Sequence, residues 1–176
     1  MKYLKQYETY IEMFLDDDDQ LFLMLEYINN NDSDKIKKLF FKEFDPNTKQ
    51  GREPIVMNLI NKIENININI LNLFIEFGLT VDIITSFLYN SINWYNKKTD
   101  KLNLLESSRI CIKSGANLFY EYGRNENIFD VIDDNDRISD KFRKELYKMI
   151  QYELPNEYNK YITDKEIKDN SSKFNI

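Results

Sequence analysis

The chain has 176 residues, a hydrophobic fraction of 42% and a net charge of −6, which together predict one acidic domain with an ample core. Nucleic-acid affinity comes largely from clustered Lys and Arg, so this acidity disfavours a nucleic-acid partner and is compatible with a basic protein partner. The sequence holds no run of about 18 apolar residues, so we expect no membrane span.

Hydrophobic periodicity predicts helices along most of the chain. Apolar positions over residues 3–15 follow the i, i+3, i+4 pattern of an amphipathic helix, and four acidic residues at 16–19 end it. Pro155 ends the last long helix; we expect a short helix within 156–176 and a frayed end near 169–172. Between these ends, the predicted helices are 20–29, 33–44, 53–64, 67–77, 82–95, 102–113, 127–133 and 139–153.

Three segments end alike, with an apolar helical run followed by a small turn. They are residues 37–47, 71–82 and 109–118, and their corresponding positions 43, 78 and 115 are 35 and 37 residues apart. A period of roughly 20–50 residues is typical of a solenoid, in which each unit buries its apolar face against its neighbours. The repeat therefore predicts a stack of similar helical units.

The turns of this repeat carry a recognisable pattern. Gly78 and Gly115 stand where a helix ends in the left-handed conformation, and Asn117 follows where a side chain can bond to its own turn. These segments resemble the ankyrin repeat, whose second helix ends in two leucines before Gly-Ala-Asp-x-Asn. Pro54 likewise resembles the proline of the ankyrin helix start.

The chain also departs from the ankyrin pattern. The first segment lacks the glycine, no segment has the full Thr-Pro-Leu-His, and Asp82 is followed by a helix rather than by a hairpin signal. The alternative to a repeat is a generic helical bundle whose helices are similar in length.

The resemblance implies an all-α fold, built as an ankyrin-like solenoid of stacked antiparallel helix pairs. It implies a capping helix at 1–18, ankyrin-like repeats at 19–154 and a polar C-terminal extension at 155–176. Any β structure should be confined to turns. The residues expected at equivalent, buried inner positions are Leu73, Phe74, Ile110, Cys111, Leu146 and Ile150.

The residue types needed for common catalytic chemistry are scarce. The chain has no histidine, which removes the commonest general base and the usual zinc ligand. Cys111 is the single cysteine; it lies in an apolar run and is expected in the core, and it fits a reducing, cytoplasmic location. The acidic groups at 16–19 and 130–136 have ligands for a divalent cation, but the second lacks the central glycine and closing glutamate of a calcium loop, and solvated turns are the favoured interpretation. We expect no enzyme activity, cofactor or metal.

Two aromatic residues, Trp94 and Tyr95, stand together at a predicted helix end. Trp is enriched among the residues that dominate binding energy, so Trp94 is a candidate anchor for a protein partner. Stacking on a nucleic-acid base is another use of such a pair. The structural alternative puts Trp94 in the core and Tyr95 at its rim.

A short, acidic, ankyrin-like chain resembles bacterial immunity proteins, and the resemblance implies a module that blocks a basic toxin by occluding its active site. The alternative is an adaptor or secreted effector that docks a host or cellular protein. The candidate partner-binding residues, at helix starts and turn tips, are Lys49, Gln50, Arg52, Asn58, Asn61, Tyr89, Asn93, Trp94, Tyr122, Arg124, Asp133 and Asp134.

Overall fold

The computed structural model describes residues 17–61, 66–96, 98–122 and 126–174. The helix predicted over residues 3–15 lies outside them. The described chain is mainly α-helical, which confirms the all-α class. Its α-helices, numbered here in chain order, are α1 (Asp17–Asn29), α2 (Ser33–Phe40), α3 (Asn58–Asn61), α4 (Ile68–Glu76), α5 (Val81–Asn93), α6 (Lys101–Lys113), α7 (Ile128–Asp134), α8 (Asp140–Glu153) and α9 (Pro155–Phe174).

Short polar residues determine where many of these helices begin. The side chains of Asp32, Asn67, Asp100 and Asn127 accept hydrogen bonds from backbone N–H groups of the first turn of α2, α4, α6 and α7. Ser139 does the same for α8. Each cap satisfies a donor that the helix itself leaves without a partner.

Four helix ends share one backbone geometry. Asn31, Glu43, Gly78 and Gly115 all have positive φ, at 55°, 68°, 101° and 94°. After each, the next N–H donates to the carbonyl five residues earlier, over 2.9–3.2 Å. This is the Schellman pattern, and it confirms the left-handed ends predicted at the two glycines. Glu43 adopts the same conformation at the position where the repeat lacks glycine.

The β structure is small and lies in turns, as predicted. Strands β1 (Lys49–Gln50) and β2 (Glu53–Pro54) pair antiparallel, and a 3₁₀ helix (Ile55–Met57) follows. The helix predicted over 53–64 is therefore wrong at its start, because the hairpin occupies 53 and 54. An isolated β-bridge joins Tyr122 to Glu126 after the helix end at Gly115. No strand lies in the turn between Gly78 and the start of α5, as the sequence indicated.

The helices contact one another in two series. One series runs through α1, α3, α5 and α7, and the other through α2, α4, α6 and α8. Helices α1 and α2 also contact each other, as do α5 and α6. Hydrogen bonds between units join the turns: Thr80 N–H donates to Asn47 Oδ1 over 2.8 Å, and Asn117 N–H donates to Thr85 Oγ1 over 2.9 Å.

The predicted inner positions are only partly confirmed. Phe74, Cys111, Leu146 and Ile150 are buried, whereas Leu73 and Ile110 are only partly buried. Each of these two precedes a fully buried neighbour, and successive residues of a helix point about 100° apart, so only one of each pair faces the centre of the core.

The C-terminal segment differs from its prediction. Pro155 does end α8, but it also takes the first position of α9, where its missing N–H has no cost. Helix α9 has 20 residues and runs through the predicted frayed end to Phe174. Tyr161 is buried, and Tyr158 and Ile162 pack on the core. Within the described residues, no helix is long and apolar enough to cross a membrane.

Candidate functional site: the Trp94 surface

Trp94 lies at the C-terminal end of α5 and is exposed to 36% of its surface. Its neighbour Tyr95 is only 2% exposed and stacks on Phe142 with ring centroids 5.2 Å apart. The alternative that buried Trp94 and exposed Tyr95 is therefore wrong. The large indole lies at the surface, while the phenol ring anchors the loop to α8.

A cavity lies on either side of Trp94, and we call the two together the Trp94 surface. The larger has a volume of about 380 Å³ and the smaller about 160 Å³. The larger is lined by Asn93, Trp94, Glu126, Val131, Asp134, Asn135, Asp136 and Arg137. The smaller is lined by Arg52, Glu53, Pro54, Met57, Ser86, Asn90 and Trp94.

The local sequence explains how α5 lines the smaller cavity. Ser86, Asn90 and Trp94 are four residues apart, so they share one face of the helix. Asn90 Nδ2 donates to the carbonyl of Ser86 over 2.9 Å, which holds its amide along the helix. This face meets the end of the β hairpin, which brings Arg52 to the same cavity as Trp94.

The charged groups of this surface contrast with those elsewhere in the molecule. Arg109 and Arg143 are held internally: Arg109 pairs with Glu106 and Glu153, and Arg143 with Asp140 and backbone carbonyls. Arg52 and Arg137 have no ion pair or hydrogen bond from their side chains to any described residue. The same holds for the carboxylates of Asp134 and Asp136 and for the indole N–H of Trp94. The side chains of these residues can therefore form hydrogen bonds or ion pairs with another molecule.

An aromatic cluster adjoins the Trp94 surface. Tyr89 stacks on Tyr122 with centroids 3.9 Å apart, and Tyr120 meets Tyr122 edge-on at 5.0 Å. Tyr89 also donates a hydrogen bond to Glu126 Oε2 over 3.4 Å, which connects the cluster to the larger cavity. Burial raises the pKa of the Tyr122 phenol, so this ring remains neutral at physiological pH.

The hairpin carries two further candidate residues, and the first residue of α3 is a third. Lys49 and Gln50 are exposed on β1. Asn58 Nδ2 donates to the carbonyl of Ile55 over 2.9 Å and to Gln50 Oε1 over 3.4 Å. The amide of Asn58 therefore ties the strand to the helix that follows it.

Asp133 has a different environment, inside a network that joins α7 to α8 and α9. Tyr147 donates to Oδ1 over 2.6 Å, Lys165 Nζ lies 2.5 Å from Oδ2, and Tyr161 also donates to Oδ2. Partial burial alone would raise the pKa of this carboxyl. The hydrogen bonds from Lys165, Tyr147 and Tyr161 outweigh burial and hold the pKa below its ordinary value.

This network lines another cavity, of about 650 Å³, between α7 and α9. The ring of Tyr161 also stacks on Phe129, with centroids 4.2 Å apart and planes within 4° of parallel. Lys160 lies over the ring of Phe119, 4.4 Å from its centroid. These contacts attach the C-terminal helix to the last helical pair, so the Asp133 carboxylate serves as an internal anchor.

The structure thus sorts the candidate residues into groups. Arg52, Asn93, Trp94 and Asp134 line the Trp94 surface, and Tyr89 and Tyr122 adjoin it. Arg124 and the side chain of Asn61 lie outside the described part of the molecule. The sequence analysis did not include Glu126, Asp136 and Arg137 among the partner-binding residues, although all three line the larger cavity. Residues 136 and 137 lie in a turn between two predicted helices, and that position could have identified them.

The single cysteine and the carboxylates are the residues that the sequence offers for nucleophilic chemistry and metal binding. Cys111 is fully buried, and burial raises the pKa of its thiol to about 12, so the thiol is protonated at neutral pH. Within residues 17–61, 66–96, 98–122 and 126–174, no group of three His, Cys, Asp or Glu side chains is arranged to hold a metal ion.

Comparison with protein-family models, with curated proteins and with solved structures finds no match to this chain.

Proposed function

We propose that the chain is an ankyrin-like helical solenoid. Two observations support this proposal: four helix ends repeat one hydrogen-bonded geometry, and the helices contact one another in two series. In a solenoid each unit contacts its neighbours, and an atypical end unit covers the last one. Helix α9 is suited to that capping role, because Tyr161 and Lys165 attach it to the last unit.

The solenoid binds a protein partner through the Trp94 surface. The observation that carries this proposal is an exposed Trp94 that lines two cavities, together with Arg52 and Arg137, whose side chains have no ion-pair or hydrogen-bond partner among the described residues. Trp and Arg are the residue types most enriched among those that dominate binding energy in interfaces. Side chains that contribute little to the fold are free to contribute to an interface.

The resemblance to immunity proteins specifies the partner as a toxin. The Trp94 surface covers the active site of a basic toxin domain and excludes its substrate. The charge of −6 supports such a complex, because opposite net charges accelerate encounter between partners. The chain itself performs no catalysis in this proposal.

Co-expression tests the proposal. The intact chain, produced with the toxin-like product of a neighbouring gene, should restore growth, and it should give no protection against unrelated toxins. The purified pair should form a stable complex whose association rate falls as salt concentration rises. Capture of a housekeeping or host protein in place of any toxin would replace the immunity proposal with the adaptor alternative.

A further inference from the structure

We infer that the larger cavity of the Trp94 surface receives an arginine or lysine side chain of the protein partner. The inference rests on the proposed protein-binding function and specifies which chemical group the partner inserts. Its first support is the charge of the cavity lining: Glu126, Asp134 and Asp136 supply three carboxylates and Arg137 one guanidinium, a net charge of −2.

Two helix ends add to this negative potential. Helix α5 ends at Asn93 and α7 ends at Asp134, and both residues line the cavity. The C-terminal end of a helix carries a partial negative charge, equivalent to roughly half an elementary charge. A cation in the cavity is therefore favoured by the carboxylates and by the backbone.

The indole of Trp94 gives the cation a surface to stack on. Among aromatic side chains, Trp is the best partner in cation–π contacts, and Arg the more frequent cation. The planar guanidinium of Arg can stack on the indole and donate to the nearby carboxylates at the same time. The cavity volume of about 380 Å³ leaves room for such a head group.

The position of Asp134 on its helix adds to this support. Its carboxylate lies in the last turn of α7, where negative charge opposes the helix dipole, and it has no ion-pair partner among the described residues. Sequences break such a local rule chiefly at functional sites. Asp133, one position earlier, shows the contrast, since three internal donors compensate its charge.

The single tryptophan makes the test specific. The probe is a blocked Ser-Gly-Arg-Gly-Ser peptide, and its control carries citrulline, which has nearly the same shape without the charge. The arginine peptide should move the one indole N–H signal in an NMR titration, saturating with a Kd on the order of 1 mM. The citrulline peptide should bind at least about tenfold more weakly. Equal effects of the two peptides, or no saturable shift, would overturn the inference.

Two matched variants locate the site. Asp134→Asn combined with Asp136→Asn should weaken arginine-peptide binding about tenfold or more, with the fold intact by circular dichroism. Asp164→Asn combined with Glu166→Gln removes the same charge from two exposed positions of α9 and should leave binding unchanged. Equal losses in both variants would mean that net charge alone attracts the peptide.

The two proposals can fail separately. A partner protein that binds the Asp134→Asn, Asp136→Asn variant as tightly as the native chain would overturn the cation pocket and leave protein binding in place. Specific arginine-peptide binding without any protein partner would instead leave the pocket and remove the proposed function.

Discussion

Glu43 and Gly78 hold the same left-handed backbone conformation at two helix ends that lie 35 residues apart. Their φ angles are 68° and 101°, and in both cases the following N–H, of Phe44 or Leu79, donates to the carbonyl five residues earlier. Glycine adopts this conformation at no steric cost, whereas a residue with a Cβ does not. The fold thus imposes at Glu43 a backbone that the side chain disfavours.

Glu43→Gly should therefore stabilise the protein. The substitution removes the steric cost of the left-handed conformation. That gain exceeds the larger conformational entropy that glycine loses on folding, so we expect the free energy of unfolding to rise by about 0.5–1 kcal/mol. Gly78→Val is the opposite change, and it should cost roughly 1–2 kcal/mol or more. The cost comes from the backbone conformation, since an added Cβ meets no atom within 4 Å beyond its chain neighbours. Denaturant unfolding measures both; a destabilised Glu43→Gly variant would contradict the shared geometry.

Thr85→Val should weaken the connection between two units. The buried Thr85 hydroxyl donates to the carbonyl of Val81 over 2.8 Å and accepts from the N–H of Asn117 over 2.9 Å. Valine keeps the shape but leaves that N–H without an acceptor, at a cost of about 1–3 kcal/mol. Thr85→Ser keeps the hydroxyl and should recover most of the loss in thermal unfolding. If valine and serine behave alike, the hydrogen bond contributes nothing.

Acidification should loosen α9 through Asp133. The folded-state pKa of this carboxyl lies below its unfolded value, so its contribution to stability is present above about pH 4 and is lost as pH falls through the folded pKa. Asp133→Asn should reduce this acid sensitivity and cost about 1–3 kcal/mol at neutral pH. Hydrogen exchange of α9 amides at several pH values measures the effect. An unchanged acid response in the variant would exclude Asp133 as its source.

The thiol of Cys111 should react only when the protein opens. The side chain is fully buried, and its pKa near 12 keeps the nucleophilic thiolate scarce at neutral pH. We expect labelling by a disulfide reagent to follow the unfolding rate as denaturant increases. Cys111→Ser should retain partner binding while losing about 1–3 kcal/mol of stability, because it buries a hydroxyl. Fast labelling of the native protein would contradict the buried position.

Trp94→Ala should separate binding from folding. The indole is partly exposed and stands at the centre of the Trp94 surface, so its loss should cost about 2 kcal/mol or more in partner binding. The free energy of unfolding should fall far less than it does when a buried aromatic side chain is truncated to alanine. Tyr152→Ala on α8 removes a residue that is 82% exposed and lies outside both cavities. Calorimetric titration of both variants should show a loss only for Trp94.

The sequence alone determined the elements whose cause is local. The cap at Ser139, the left-handed ends at Gly78 and Gly115 and the helix break at Pro155 follow from the chemistry of one residue and its near neighbours. The direct start of α5 after the second turn was visible in the same way. A helix end needs only a few residues to define it, so its signal is complete within one short stretch of the chain.

Only the tertiary structure decided which side chains are exposed and which groups meet. Trp94 and Tyr95 are adjacent and both apolar, and packing against α8 buried Tyr95 and left Trp94 at the surface. Asp133 and Asp134 are adjacent carboxylates, yet only Asp133 meets the donors of α8 and α9. The exposure of Trp94 and the hydrogen bonding of Asp133 both depend on contacts between residues that are far apart in sequence. Helical periodicity shows which face of one helix is apolar, but not which neighbour will cover it.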